Sequence, residues 1–338
     1  MKTTTYFYSF VCGMFLMGAG LTSCNSVLDD DYDSPAKYMQ INTTRVDSNV
    51  TSKAEGDIPG RVLFWTANNF GSSFYTTADI DNLNAWGTTK YNTGKEYPND
   101  GSTVYAAGYS PITNVTPAAN YQKLTISDAN SGQIDVCTSN AAILGSSSSI
   151  FKDVLTFDHT LTKVTFIAKR DKTMENNRSV NSVFVTIPKE YLATEWDWDA
   201  TNMKYAINTG VHSASTLSLS DYDGDLTEIG TNYSVGICYL MLPADNGGLL
   251  GNGTVNIQLT AKLLKTGESS TSAVTKTWNF VEGIQLYEQD GTTKVTKANA
   301  GDSYVVIFNF TNDTFTFEAH KMPWQNGGLI TIPINTNK

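Results

Sequence analysis

The chain has 338 residues, of which 40% are hydrophobic and 11% aromatic; this is enough apolar material for more than one core and excludes a disordered chain. Charged residues make up only 17%, while Gly (26), Tyr (17) and Phe (15) are abundant, a strand-and-turn composition that excludes a coiled coil or a helical bundle. The formal charge is -10, and without Met1 to Ser23, whose one charged residue is Lys2, it is -11, the wrong sign for a nucleic-acid partner.

Residues 1–23 read as an export signal. Lys2 supplies the positive start, and the apolar run from Tyr6 to Gly20 is too short for a spanning helix of about 20 residues. Leu21-Thr22-Ser23-Cys24 resembles the lipobox of bacterial lipoproteins, in which cleavage before the cysteine leaves an acylated N-terminus, here Cys24. Several acyl chains at about 0.8 kcal/mol per buried methylene hold a domain on a membrane without any spanning segment. The acidic stretch Asn25 to Asp33 follows, and it resembles the surface-export signals of Bacteroides-group lipoproteins.

Beyond this tether, Lys37 to Ile41 and Val62 to Ala67 read as strands flanking a polar stretch, Thr43 to Gly60. Ile134 to Thr138 and Val235 to Leu242 are strand-like and carry Cys137 and Cys238, the cysteines left once Cys12 departs with the leader and Cys24 is acylated. Buried thiols are the expected state of both. Period-2 alternation marks strands at Val164, Phe166 and Ala168, at Val183, Val185 and Ile187 before Pro188, and at Val255 through Leu263. Val306, Phe308 and Phe310 lead through Asn312-Asp313 to Phe315, Phe317 and Ala319, the pattern of a hairpin. Strand-sized runs between Gly, Asn, Asp and Ser clusters predict an all-β chain of two Greek-key β-sandwich domains. The expected divisions are a tether and first strand at 24–61, one sandwich at 62–188, and a second at 189–338.

No catalytic motif appears. His159, His212 and His320 are scattered, and neither a zincin helix nor a hydrolase nucleophile elbow occurs. The expectation is no enzyme, no cofactor and no metal. Asp221-Tyr222-Asp223-Gly224-Asp225 alternates carboxylates as a calcium loop does, but Leu226 stands where that loop needs glycine and Asn232 where it needs its bidentate Glu, so a solvated acidic turn is expected. Trp196 and Trp198, among acids, offer a candidate sugar-stacking pair; the alternative is one face of a core.

Several motifs in order resemble one family. Tyr91-Asn92-Thr93-Gly94-Lys95-Glu96-Tyr97-Pro98, then Val104 to Pro111, Leu155-Thr156-Phe157-Asp158-His159-Thr160-Leu161, Gly301-Asp302-Ser303-Tyr304 and Met322-Pro323-Trp324 are similar to stretches of the Bacteroides-group fimbrillins, the pilins of lipoprotein-derived fimbriae. Each motif is soft, and their order across nearly the whole mature chain carries the resemblance. It implies two transthyretin-like domains on an outer-membrane lipoprotein and a trypsin-like protease that removes the N-terminal strand. A strand from the next subunit then fills the groove and builds a surface fimbrium that contributes to adhesion to a host or bacterial receptor. Candidate cleavage points are Arg45, which follows the first short strand, Lys53 and Arg61. Ile330, Ile332 and Ile334 alternate as a donor strand would, with Pro333 confining that segment to an edge. A last strand within its own domain is the other reading of these residues. The competing function is a surface glycan-binding lipoprotein of a polysaccharide-uptake system.

Overall fold

The computed structural model describes residues 36–46, 59–67, 70, 74–81, 83, 88–220, 225–241, 248–249, 257–265, 273–280, 283–296 and 298–324. Cys24, Lys53 and the candidate donor residues Ile330, Ile332 and Ile334 lie outside them, as do residues 221–224 of the acidic turn. Among the described residues there is no α-helix. The strands of the first half are β1 (Tyr38–Val46), β2 (Gly60–Trp65), β3 (Phe74–Ile80), β4 (Thr89–Glu96), β5 (Val104–Ser110), β6 (Thr116–Pro117), β7 (Lys123–Thr125), β8 (Cys137–Ser139), β9 (Ile143–Gly145), β10 (Val154–His159) and β11 (Thr162–Arg170). Then come β12 (Arg178–Ile187), β13 (Glu195–Asp199), β14 (Lys204–Ile207), β15 (Leu217–Leu219), β16 (Tyr233–Leu240), β17 (Gly248–Leu249), β18 (Ile257–Lys265), β19 (Val274–Phe280), β20 (Ile284–Gln285), β21 (Ser303–Phe310) and β22 (Phe315–Lys321).

The first sheet runs β3-β2-β5-β8-β10-β1-β4, with β9 also paired to β5. It curls until its edge strands approach, and the Tyr75 hydroxyl on β3 donates to the Glu96 carbonyl on β4 at 3.1 Å. Both faces of its strands β2 and β5 are buried. Val62, Phe64, Val104 and Ala106 enter an inner core with Leu155 and Phe157, while Leu63, Trp65, Ala107 and Tyr109 enter an outer one with Leu124, Trp196 and Tyr205. Strands buried on two faces need continuous apolar runs rather than alternation, which is what β2 and β5 show. The outer core is closed by a four-stranded sheet, β14-β13-β7-β6.

The second assembly is a sandwich of two four-stranded sheets, β16-β11-β21-β22 and β15-β12-β18-β19. Its core takes the alternate residues of each strand: Val164, Phe166 and Ala168 from β11, Val183, Val185 and Ile187 from β12, Ile257, Leu259 and Ala261 from β18, and Val306, Phe308 and Phe310 from β21. A bulge in β12 between Asn181 and Phe184 re-phases that strand, with Ser182 at φ 52°. At roughly 1.5–3 kcal/mol for each large apolar side chain removed from water, these alternating rows are the main force holding the sheets together.

The division expected at Lys189 is not where the strands divide. β11 and β12 pack in the second core, whereas β13 and β14 return to cover the first sheet. Residues 24–61 were expected to precede the first sandwich, yet β1 and the start of β2 are integral to its sheet.

Candidate functional site

The strand β1 occupies a slot. It pairs with β10 in parallel from Asn42 to Val46 and with β4 antiparallel from Tyr38 to Thr43. Met39, Ile41 and Thr43 are at most 1% exposed and face the inner core. The Thr93 hydroxyl donates to the Met39 carbonyl at 2.8 Å. Taking β1 away would leave β10 and β4 each with an open row of backbone donors and acceptors beside exposed apolar side chains, a groove that fits another extended strand.

The candidate cleavage points fall differently from expectation. Arg45 does not follow the first strand; β1 extends through it, and its side chain is buried opposite Phe157. Arg61 lies inside β2 and is bonded by β3 on one side and β5 on the other. Its guanidinium grips Asp79 with Nε to Oδ1 at 2.6 Å and Nη2 to Oδ2 at 2.9 Å. That contact raises the Arg61 pKa and holds the Asp79 carboxyl below its ordinary range.

The paired indoles also separate. Trp196 is fully buried, its Nε1 donating to Thr160 Oγ1 at 2.9 Å, so it offers no face to a sugar and belongs to the core of the first assembly. Trp198 is half-buried. It stacks on Phe70 at 4.1 Å between ring centroids and meets Trp65 and Tyr205 edge-on. Its side chain lines an open cavity of about 450 Å³ with Phe70, Asn120, Gln122, Lys123 and Asp197. Lys123 Nζ meets Glu195 at 2.7 Å and Asp197 at 3.8 Å, leaving a polar rim beside the aromatic wall.

A third feature was not found from sequence. Cys137 on β8 stands directly across from His159 on β10, and Asp135 lies two residues earlier on the same face. His159 Nδ1 is 2.9 Å from both carboxylate oxygens of Asp135 and 3.3 Å from Cys137 Sγ. The other side of the imidazole is Trp324, stacked with ring centroids 3.8 Å apart. Burial pushes the Cys137 thiol up, and the Asp135 charge adds to it. Such a thiol is not an activated nucleophile. Because both partners contact the same ring nitrogen, the trio is also not the relay of a hydrolase, where acid and nucleophile bond opposite nitrogens. The signal was only the pair Asp135-Val136-Cys137; its meeting with His159 depends on strand register. Cys238 is free and buried in the second core, as expected of a structural thiol.

No family model and no curated protein matches the chain. Solved structures do. The chain resembles a Parabacteroides distasonis protein named for cell adhesion at 10% identity and a TM-score of 0.52, over 88% of this chain and 99% of that one. It also resembles a Bacteroides ovatus protein named for cell adhesion (16% identity, TM-score 0.48, 87% and 99% covered) and a fimbrial protein of Bacteroides vulgatus (12%, 0.46, 85% and 99%). The first of these likenesses establishes a shared all-β fold along nearly the whole chain.

Proposed function

We propose that the chain is a structural subunit of cell-surface fimbriae, a non-enzymatic pilin of two transthyretin-like sandwiches that contributes to adhesion. It is exported as a lipoprotein through Cys24, carried to the outer membrane, and assembled when a trypsin-like protease releases the N-terminal strand. The observation that carries this reading is the seating of β1, a terminal strand whose apolar face fills the inner core while both of its edges are paired. The fold shared with the adhesion-named structure is consistent with it. A released β1 vacates a groove of one strand's width, which the alternating Ile330, Ile332 and Ile334 of another copy match in pattern.

The placement of the basic residues refines the expected cut. A protease needs an extended substrate free of its sheet partners, and neither Arg45 nor Arg61 offers one while its strand is in place. Lys53, within the segment joining β1 to β2, is therefore the favoured position of the three. The deciding experiment is an unheated denaturing gel of the mature protein before and after limited trypsin. A ladder of resistant multimers only after cleavage supports the subunit reading; a single band in both lanes, with β1 shown to be gone, overturns it.

A second reading, a surface glycan-binding lipoprotein, has the Trp198 cavity in its favour: an aromatic wall with Asn120, Gln122, Lys123 and Asp197 at its edge can stack on and hydrogen-bond to a saccharide. Saturable glycan binding lost in Trp198→Ala would favour that role.

A further inference from the structure

The geometry points to a cation site: we propose that Asp135, Cys137 and His159 together hold one zinc-class divalent ion, with a fourth position for water. The donor atoms of the three residues lie within 4.8 Å of one another, and they supply a carboxylate oxygen, a sulfur and an imidazole nitrogen, the ligand types that zinc accepts.

The trio is hard to explain as hydrogen bonding alone. A ring nitrogen carries at most one proton, yet His159 Nδ1 faces three acceptor-capable atoms, Oδ1 and Oδ2 of Asp135 and Sγ of Cys137, at 2.9, 2.9 and 3.3 Å. Asp135 Oδ2 is buried and makes no well-directed hydrogen bond; it sits 2.9 Å from the same Nδ1 that Oδ1 faces, so the two carboxylate oxygens share one donor. A buried carboxylate oxygen that must share its donor is under-satisfied, so a ligand that satisfies it has a thermodynamic reason to bind.

A tetrahedral zinc ion with bonds of about 2.0 Å to N and O and 2.3 Å to S keeps its ligands roughly 3.3–3.5 Å apart. The contacts to His159 Nδ1 need to open by a few tenths of an ångström, and the carboxylate and Sγ, which lie within 4.8 Å of each other, need to come to about 3.5 Å. Cross-strand pairing fixes Cys137 against His159, Asp135 lies two residues before Cys137 with its carboxylate on His159, and Trp324 packed on the imidazole limits the ring's rotation, so the site is preorganised. Asp135, 10% exposed, is the most solvent-accessible side chain of the three. Binding requires His159 in the tautomer with its proton on Nε2 and Nδ1 free to coordinate, displaces the thiol proton to solvent, and leaves a thiolate and a carboxylate neutralising the dication. The ion would tie β8 to β10 beside Trp324.

The test uses the full chain, reduced, with cobalt(II) as a visible probe and zinc(II) as competitor, added to native protein and, separately, present during refolding from urea. The expected result is about one cobalt per chain, a thiolate-to-cobalt charge-transfer band in the near ultraviolet, and its loss on adding zinc. Cys137→Ser and His159→Gln should abolish the band. The isosteric Asp135→Asn should weaken binding by about 10-fold or more. Cys12, Cys24 and Cys238 persist in Cys137→Ser, so an undiminished band in that variant assigns the metal to them and overturns the proposal. So does a parent chain, shown to be folded by its β-sheet circular dichroism, that gives no band by either route. That outcome leaves the trio as a hydrogen-bonded core cluster.

Discussion

His159 and Trp324 stack face to face, 3.8 Å between ring centroids, so that a residue near the chain's end closes over the last residue of β10. Trp324 has no exposed surface, and Lys163 Nζ lies 5.6 Å above its ring. Two of the stretches that carried the resemblance, Leu155 to Leu161 and Met322 to Trp324, are thereby one packed unit. Trp324→Ala should cost about 3–5 kcal/mol, read as a lower urea midpoint with unchanged slope. A loss under about 1 kcal/mol would show that the stack contributes little.

Seating of β1 depends on its buried row. Ile41→Ala removes most of a 1% exposed side chain and should destabilise the chain by about 2–5 kcal/mol while increasing the rate of tryptic loss of the first strand. Equal stability and an unchanged digestion rate would separate β1 from the core.

Trypsin should not cut after Arg61 in the folded protein, because both edges of β2 are occupied. Peptide mapping of a brief digest checks this directly: an N-terminus at Val62 before global unfolding would contradict the central placement of β2.

The Arg61–Asp79 pair sets an acid dependence. Since the guanidinium holds Asp79 below its ordinary range, its folded-state pKa lies under the unfolded value, and the stabilisation is present above about pH 4 and lost as pH falls through the folded value. With Asp79 45% exposed the pair contributes about 0.5–1 kcal/mol. Asp79→Asn should lose that amount at neutral pH and show a flatter stability curve on acidification; a curve of unchanged slope would remove the pair from the account.

Gly108 sits where a Cβ would come within 2.6 Å of the Arg61 carbonyl and 2.8 Å of Phe157 Cζ. Gly108→Ala should therefore destabilise by about 1–3 kcal/mol through overpacking in the middle of the sheet, measured by thermal or urea unfolding. A neutral substitution would mean that Phe157 and β2 can yield at no cost.

Alternation made β11, β12, β18 and the β21–β22 hairpin readable because each has one face in a core and the other toward solvent or a thinner layer. β2 and β5 are readable only as apolar runs, since both of their faces are covered. Which strands pair was not legible: β1 with β10 and β11 with β21 are parallel partners separated by long stretches of chain, and nothing local encodes such a register. The misplaced division near Lys189 has the same origin. β13 and β14 carry Trp196 and Tyr205 back to the first sheet, a long-range choice that a change in local polarity cannot report. The Trp196–Trp198 alternation was legible as a strand face, but not that the face is turned inward at Trp196 and reaches a cavity only at Trp198.

The neighbours of β1 have a consequence for the order in which the sheet can be completed. β1 is synthesised early, yet β4 begins at Thr89 and β10 at Val154, so its slot has no second wall until about half the chain has been made. Closing such distant contacts is entropically slow, so the pairing of β1 with β10 waits on the second half of the chain. Among the described strands β4 pairs with β1 alone, so the strand that arrives late also carries its neighbour: losing β1 frees β4 from the ladder and opens the edge of β10 at the same time.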